Sequence, residues 1–441
     1  MNEPGYAVIG AGPSGLAGAR NLQRVGLPWT GYELADGVGG LWNIDGPRST
    51  VYDSAHLISS RTTTEFTEFP MSTDVADYPS HRELLRYFQE FADTFDLRSG
   101  YRFGTEVNAL EPVDGGRGGW QVTSTGPDGT HTELHRGVVV ANGTLSEPAV
   151  PRFEGEFSGE IFHTSRYKSA TVFAGKRVLV IGAGNSGCDI AVDAVHHAAS
   201  VDISVRRGYY FVPKYILGKP ADTLNQGRPL PARIKQAVDS RVLKLFTGDP
   251  VRFGFPKPDY RIYESHPVVN SLVLHHVGHG DIGVRPDIRR FDGEDVVFAD
   301  GTRRAYDVVV LATGYHLHYP FLDPALLSWA GPGSGTAPDL YLNIFPQKAA
   351  NLFVLGMIEA SGIGWQGRYE QAELVAAYLR ARRDDPAAAD AFDERVRGPR
   401  PDLTGGYHYL GLERMSYYVN KDAYRGEVRA AVAELGPEGS R

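Results

Sequence analysis

VIGAGPSGLAGARNL, Val8 to Leu22, is the stretch whose reading decides the fold. It reads as a buried strand, a glycine-rich turn and the start of a helix. Gly10, Gly12 and Gly15 keep the GxGxxG spacing, with the apolar AVI before them and Leu16, Ala19 and Leu22 at helical spacing after them. The first glycine makes the tight turn, the second lets backbone approach a pyrophosphate, and the third lets helix pack on strand. The helix N-terminus then offers N–H groups and a partial positive charge to the phosphates. Pro13 and Ser14, between the second and third glycines, join this set. A second apolar segment, PWTGYELA, ends near Glu33, 18 residues after Gly15. An acid there accepts hydrogen bonds from a ribose and repels a 2′-phosphate, so the site suits FAD or NAD. GVGGLW follows, Gly37 to Trp42. Gly40 allows close backbone approach again, and Leu41 and Trp42 are placed to wall a ring system, although Trp42 reads equally well as core.

The device is repeated about 170 residues later in VLVIGAGNSGCDIAVDAV, Val178 to Val195. Gly182, Gly184 and Gly187 keep the spacing, and Asn185, Ser186, Cys188 and Asp189 complete the turn and helix start. The following strand, SVDISVRR, ends in Arg206 and Arg207 where the first site offers Glu33. An arginine fork pairs well with a phosphate. The first site therefore reads as FAD and the second as NADPH. Two dinucleotides in one chain imply hydride passed from nicotinamide to flavin.

The 441 residues suggest two or three domains at roughly 100–200 residues each. A net charge of −8 argues against a nucleic-acid partner or an anionic membrane. The single cysteine, Cys188, excludes an intramolecular disulfide, a CxxC redox pair and a cysteine zinc site, and reads as a small buried residue. The start, MNEPGYAVIG, has no signal-peptide pattern, and no run of 18 apolar residues is present, so a cytoplasmic protein is expected. HHVGHG, His275 to Gly280, and the pair His196-His197 show no carboxylate or cysteine at a recognised ligand spacing, so no metal site is expected.

PDGTHTELHRGVVVANGT, Pro127 to Thr144, and FADGTRRAYDVVVLATGY, Phe298 to Tyr315, are near copies: a turn, a polar strand, an apolar strand, then a small residue and glycine. They read as returning strands at corresponding places in two related folds. The expected fold is α/β, with two Rossmann-like dinucleotide-binding domains and the NADPH domain inserted into the FAD domain. The expected bounds are 1–168 and 305–441 for FAD and 169–304 for NADPH. Within the insert, Tyr215 to His266 is rich in Pro and Gly, holds one helix in ARIKQAVDSRVLKLF, and is the candidate for shaping substrate access. Tyr407, Tyr409, Tyr417, Tyr418 and Tyr424 are expected to pack around the flavin domain.

FSGEIFHTSRY, Phe157 to Tyr167, fits FxGxxxHxxxY without a gap. With both glycine turns, GVGGLW and ATGY, the chain resembles the flavin-containing monooxygenase family, the class B flavoprotein monooxygenases, over most of its length. The resemblance implies that NADPH reduces FAD, that NADP stays bound, and that reduced flavin takes up O2 as a C4a-hydroperoxide. That species oxygenates a soft nucleophile in a dry pocket. It implies a small-molecule substrate, O2 and a homodimer as partners. His163 would sit at the domain junction, and Thr62, Val107, Gly314 and Gln366 would join the FAD set, Gln366 from the helix in GWQGRYEQAELVAAYL. Baeyer–Villiger relatives end the motif in Trp, and Tyr167 therefore leans towards nitrogen or sulfur oxygenation. One departure stands out. In HLISSRTTTEFTEFP, Arg61 falls where many members carry an Asn beside the flavin, with Ser60 before it. That keeps an NADPH oxidase or a flavin dehydrogenase open, beside Baeyer–Villiger oxygenation of a ketone and a non-catalytic nucleotide sensor.

Overall fold

The computed structural model describes residues 4–225 and 230–436. The opening Met-Asn-Glu, residues 226–229 of the Tyr215–His266 stretch and residues 437–441 lie outside that description. The chain begins with β1 (Tyr6–Ile9), α1 (Pro13–Arg24) and β2 (Trp29–Tyr32). All four β1 residues are buried, as expected of a strand covered on both faces. Leu16, Ala19 and Leu22 of α1 turn onto the sheet and are almost wholly buried. Next come α2 (His81–Thr94) and β3 (Tyr101–Arg102). An antiparallel ribbon of β4 (Glu106–Pro112), β5 (Trp120–Gly126) and β6 (Gly129–His135) leads into β7 (Gly137–Val140).

The pattern then repeats. β8 (Glu160–His163) precedes β9 (Arg177–Ile181), α3 (Asn185–Val195) and β10 (Ser200–Ser204). After α4 (Ala232–Thr247), α5 (Leu272–His279) and β11 (Ile282–Arg285), a second ribbon is formed by β12 (Ile288–Asp292), β13 (Asp295–Phe298) and β14 (Arg303–Ala305). The ribbon leads into β15 (Val308–Leu311). The chain then returns to the first unit with β16 (Leu352–Val354), the 21-residue α6 (Gly364–Asp384), α7 (Pro386–Arg397) and α8 (Lys421–Glu434).

Both sheets are parallel and five-stranded, ordered β16-β7-β1-β2-β3 and β11-β10-β9-β15-β8. β1 lies between β7 and β2, and β9 lies between β15 and β10. The two near-copy segments thus hold equivalent places, each a ribbon strand followed by a buried strand beside a glycine-turn strand. Because β16 joins the first sheet after β15 has completed the second, the second unit is inserted in the first.

Sheet pairing corrects the expected bounds of 168 and 305. β8 and β15 were assigned to the FAD unit, but β15 pairs with β9 on one edge and with β8 on the other, Val308 facing both Val178 and Glu160. The all-apolar VVVL run belongs inside a covered sheet, and the second sheet is the one that covers it. The bridges Glu154–Arg290 and Phe157–Gly293 bind the chain before β8 to the same unit. The C-terminal tyrosines need a similar correction. Tyr424 is buried against α6, hydrogen-bonded by Gln371. Tyr407 and Tyr418, however, pack edge-on against Tyr263 and His266 of the inserted unit.

In each glycine turn the third glycine meets the carbonyl oxygen of the first: a Cβ at Gly15 would overlap the Gly10 oxygen, and one at Gly187 the Gly182 oxygen. A Cβ at Gly184 would meet nothing within 4 Å. Gly187→Ala is therefore expected to cost about 1–3 kcal/mol by overpacking, whereas Gly184→Ala leaves stability unchanged. Calorimetric Tm values for the two variants check this, and equal Tm values would refute the packing role.

Candidate active site

The two helix N-termini are built alike. Gly12 caps α1 with φ −75° and ψ −176°, and Gly184 caps α3 with φ −73° and ψ −178°. Neither cap receives a side-chain hydrogen bond. Some other helices do carry side-chain caps: Ser80 and Glu83 form a capping box on α2, and Asn420 caps α8. The first-turn N–H groups of α1 and α3 are thus left facing outward, where the helix dipole favours an anion.

The first N-terminus opens into a cavity of about 190 Å³ lined by Gly10, Gly12, Pro13, Ser14, Glu33, Gly40, Leu41 and Val107. The backbones of Gly12 and Gly40 approach so closely that a Cβ on Gly40 would stand 2.9 Å from the Gly12 Cα. Glu33 follows β2 and is pinned at both oxygens, accepting from the Ala11 N–H at 2.5 Å and the Ala35 N–H at 2.8 Å. Burial pushes its carboxyl above the usual range, against the pull of those N–H groups. The pinned carboxylate keeps lone pairs free for a ribose diol.

The second N-terminus borders a larger cavity of about 610 Å³, which Leu41, Trp42, Gly184, Asn185, Ser186, Gly187, Asp189 and Gly314 all line. This cavity is walled by both units. Asn185 accepts from the Val269 N–H at 2.7 Å, and Asp189 accepts from Asn270 at 2.6 Å and Tyr52 at 3.1 Å. Burial raises the Asp189 carboxyl. Gly182 packs at the Ala312 carbonyl rather than on the cavity. Cys188 is fully buried, with its thiol raised by burial. Arg206 and Arg207 lie just past β10 and line neither cavity. Arg207 is engaged by Asp259 at 3.4 Å and lies over the Tyr260 ring. Arg206 is exposed and makes no ion pair among the described residues.

The eleven-residue motif braces the inserted unit, and the residue that follows it reaches the first unit. His163 ends β8 and is 5% exposed. Its Nδ1 accepts from the Ser165 N–H at 3.1 Å, so the Nε2 proton is donated to the Gly314 carbonyl at 2.9 Å. Burial holds the imidazole below its ordinary pKa and therefore neutral. Tyr167 is buried, and its hydroxyl donates to Asp193 on α3 at 2.9 Å. Lys168 went unnoticed in the sequence. Its ammonium donates to the carbonyls of Ile44, Ser49 and Val51 at 3.2, 2.9 and 3.1 Å, tying the inserted unit to the loop after GVGGLW. Its only signal was its place next to the motif.

Ser60, Arg61, Thr62 and Gln366 also stand away from the cavities. Ser60 is buried, donating its N–H (2.7 Å) and hydroxyl (3.0 Å) to Asp222. Arg61 is half-buried: its Nη1 donates to the Ser72 carbonyl at 2.9 Å, and its Nε is buried without a partner. Thr62 is exposed. Gln366 accepts from the Thr67 N–H at 2.8 Å and closes the end of that segment. Their neighbours line the large cavity instead: Ser59, Thr64, Gly364, Trp365 and Arg368. Trp365 stands edge-on to Trp42 at 5.9 Å. Asp222, His266, Glu359 and Arg414 also line it, drawn from distant segments that no local motif marks. The histidine-rich HHVGHG stretch does acquire a carboxylate: Asp281, just past Gly280, lies 2.9 Å from His276 and 3.8 Å from His279.

The profile of the flavin-binding monooxygenase-like family matches residues 5–397. Indole-3-pyruvate monooxygenase YUCCA6 of Arabidopsis thaliana is 32% identical over 328 residues, covering 72% of this chain and 77% of that protein. Flavin-containing monooxygenase 5 of Mus musculus is 31% identical over 425 residues, covering 87% and 78%. Among solved structures, an open form of cyclohexanone monooxygenase superposes with TM-score 0.72 at 20% identity over 98% of each chain. The S-allyl-L-cysteine S-oxygenase of Allium sativum superposes with TM-score 0.64 at 21% identity, over 97% of this chain and 88% of that one. At these identities the two structures establish the fold.

His266 lines the cavity with its Nε2 buried and unpartnered, and burial lowers its pKa from 6.5 to about 4. The unfolded chain takes up a proton near 6.5 that the folded chain refuses until about 4. Stability is therefore full above pH 6.5 and is lost as the pH falls from there towards 4. A Tm series from pH 8 to 5 is expected to fall for the native chain and to fall less for His266→Gln.

Proposed function

The chain belongs to the flavin-binding monooxygenase-like family, and on that premise we propose that it is an NADPH- and O2-dependent FAD monooxygenase that oxygenates a nitrogen or sulfur centre of a small molecule. The enzyme is a flavoprotein oxidoreductase with FAD and NADPH as cofactors. The residues fit both groups. Two uncapped helix N-termini await two pyrophosphates, and the pinned Glu33 suits the unphosphorylated ribose of FAD. Arg206, with no partner of its own, suits the 2′-phosphate of NADPH. FAD, when bound, accepts hydride from NADPH and activates O2.

The observation that carries the reading is a cavity walled by both units. Leu41 and Trp42 follow the first glycine turn, and Gly184 to Gly187 form the second, on opposite sides of one space. A flavin ring reaching in from the first and a nicotinamide from the second meet there. Val51, Leu57 and Ile58 line the same space and exclude water, which a reactive oxygen species requires. The neutral His163 fixes the Gly314 carbonyl at the cavity edge and carries no proton into the reaction. Tyr167 at the close of the motif supports nitrogen or sulfur over a ketone. The bond from the Arg61 Nη1 to the Ser72 carbonyl supports a structural role for that residue.

Anaerobic NADPH is expected to bleach the purified holoenzyme. On mixing with isotopically labelled O2, dimethylaniline or methyl phenyl sulfide is expected to take up one labelled oxygen atom. Peroxide in place of oxygenated product with every nucleophile tried would overturn the reading in favour of an oxidase. Arg206→Ala is expected to raise KM for NADPH about tenfold or more, the worth of a charge-assisted hydrogen bond, and to leave KM for NADH unchanged in steady-state assays.

A further inference from the structure

One corner of the large cavity carries a positive charge that the protein leaves unbalanced. Arg368 lies one turn into α6 and lines the cavity. Two backbone carbonyls hold it: Nη1 donates to Gly364 at 2.9 Å and Nη2 to Ile358 at 3.2 Å. Among the described residues it forms no ion pair. Arg414, brought in from near the C-terminus, lines the same cavity. Its Nη2 pairs with Glu359 at 3.0 Å, while its Nε is buried without a partner. Glu359 keeps only 12% of its side-chain surface exposed and serves Arg414 alone among the ion pairs described. Two guanidinium groups thus share one carboxylate.

Among the described residues no other carboxylate at the cavity wall forms an ion pair with Arg368 or Arg414, and Asp222 keeps one buried oxygen unpartnered. Asp222 accepts from Ser60 and from Thr63, and Asp239 is engaged by Lys235 and Tyr263. Asp189 is taken by Asn270 and Tyr52. His266, whose Nδ1 meets the Tyr418 hydroxyl at 3.2 Å, is held neutral by burial. A charge set into an enclosed wall without a counter-ion costs free energy. A planar guanidinium held rigidly at its back presents its remaining donors in the fork that suits a carboxylate. The dinucleotide phosphates have their own places at the helix N-termini. Val212, Ile216, Val242, Leu243 and Ile262 give the same cavity an apolar share of its lining.

We propose that Arg368, with the Arg414 Nε beside it, is a carboxylate-recognition site, and that the substrate is a small amphipathic acid whose apolar body lies against the Val212–Ile262 side. The inference rests on the monooxygenase reading, for it assigns the substrate class of that same cavity. Binding alone is involved, and the carboxylate is not consumed.

The test is calorimetric titration of the FAD-loaded enzyme with phenylpropanoate and with phenylpropanol, which differ in the anionic head. The acid is expected to bind about tenfold tighter or more than the alcohol, the worth of a charge-assisted hydrogen bond. Arg368→Gln is expected to erase that ratio, and Arg368→Lys to retain part of it. The ratio is taken within one protein, so a general loss of stability does not imitate the result. Equal affinities in the native enzyme, no binding of either probe, or a ratio that survives in both Arg368→Gln and Arg414→Gln overturns the proposal. Bleaching by NADPH is recorded on the same samples. If bleaching fails in the native enzyme, the monooxygenase reading falls. If bleaching is normal and the affinities are equal, only the carboxylate site falls.

Discussion

No side chain fits between the first and third glycines of either turn, and the rest of the structure depends on that contact. Because Gly15 lies against the Gly10 carbonyl and Gly187 against that of Gly182, each helix starts directly over the end of its strand. That geometry aims the first-turn N–H groups at the space beyond the sheet. With no side chain capping Gly12 or Gly184, the donors stay available to a ligand. Two copies of one packing constraint thus leave two helix N-termini open. The copies differ one strand later, where Glu33 follows the first and Arg206 and Arg207 follow the second.

A second layer of interactions turns two nucleotide sites into one reaction chamber. His163, Tyr167 and Lys168 lie within six residues and reach three different places: the Gly314 carbonyl, Asp193 on α3, and the carbonyls of Ile44, Ser49 and Val51. The Lys168 bonds cross to the first unit, whereas those of His163 and Tyr167 brace the inserted unit itself. Breaking them would leave buried polar atoms unsatisfied, which is costlier than losing the bonds alone. Within this short segment Lys168 makes the tie between the two units that share the cavity.

Much of the site was legible because its signals are local. Glycine spacing, the acid after β2 and the eleven-residue motif each lie in one short stretch, and each was found where a buried strand gives way to a turn. The misplaced residues have a different character. Arg61 was assigned by counting along a segment, yet a short helix from Arg61 to Thr64 sends neighbouring side chains in different directions. Ser59 and Thr64 face the cavity while Thr62 faces solvent. The unit bounds failed for a related reason: whether VVVL at β15 closes one sheet or opens the other depends on its partners, not on its own composition. Asp281 joins His276 only because the turn at Gly280, with φ +84°, folds it back.

By itself the sequence determined the fold class, the presence of two dinucleotide sites and the insertion of one unit in the other. It could do so because close backbone packing demands glycine, and covered parallel strands demand unbroken apolar runs. Only the tertiary structure decided which polar groups meet in the cavity. Arg368, Glu359 and Arg414 are separated along the chain and marked by no motif, and their charges acquire meaning only through the low-dielectric wall that gathers them. Burial sets the cost of an unpaired charge, and burial is a property of the folded chain.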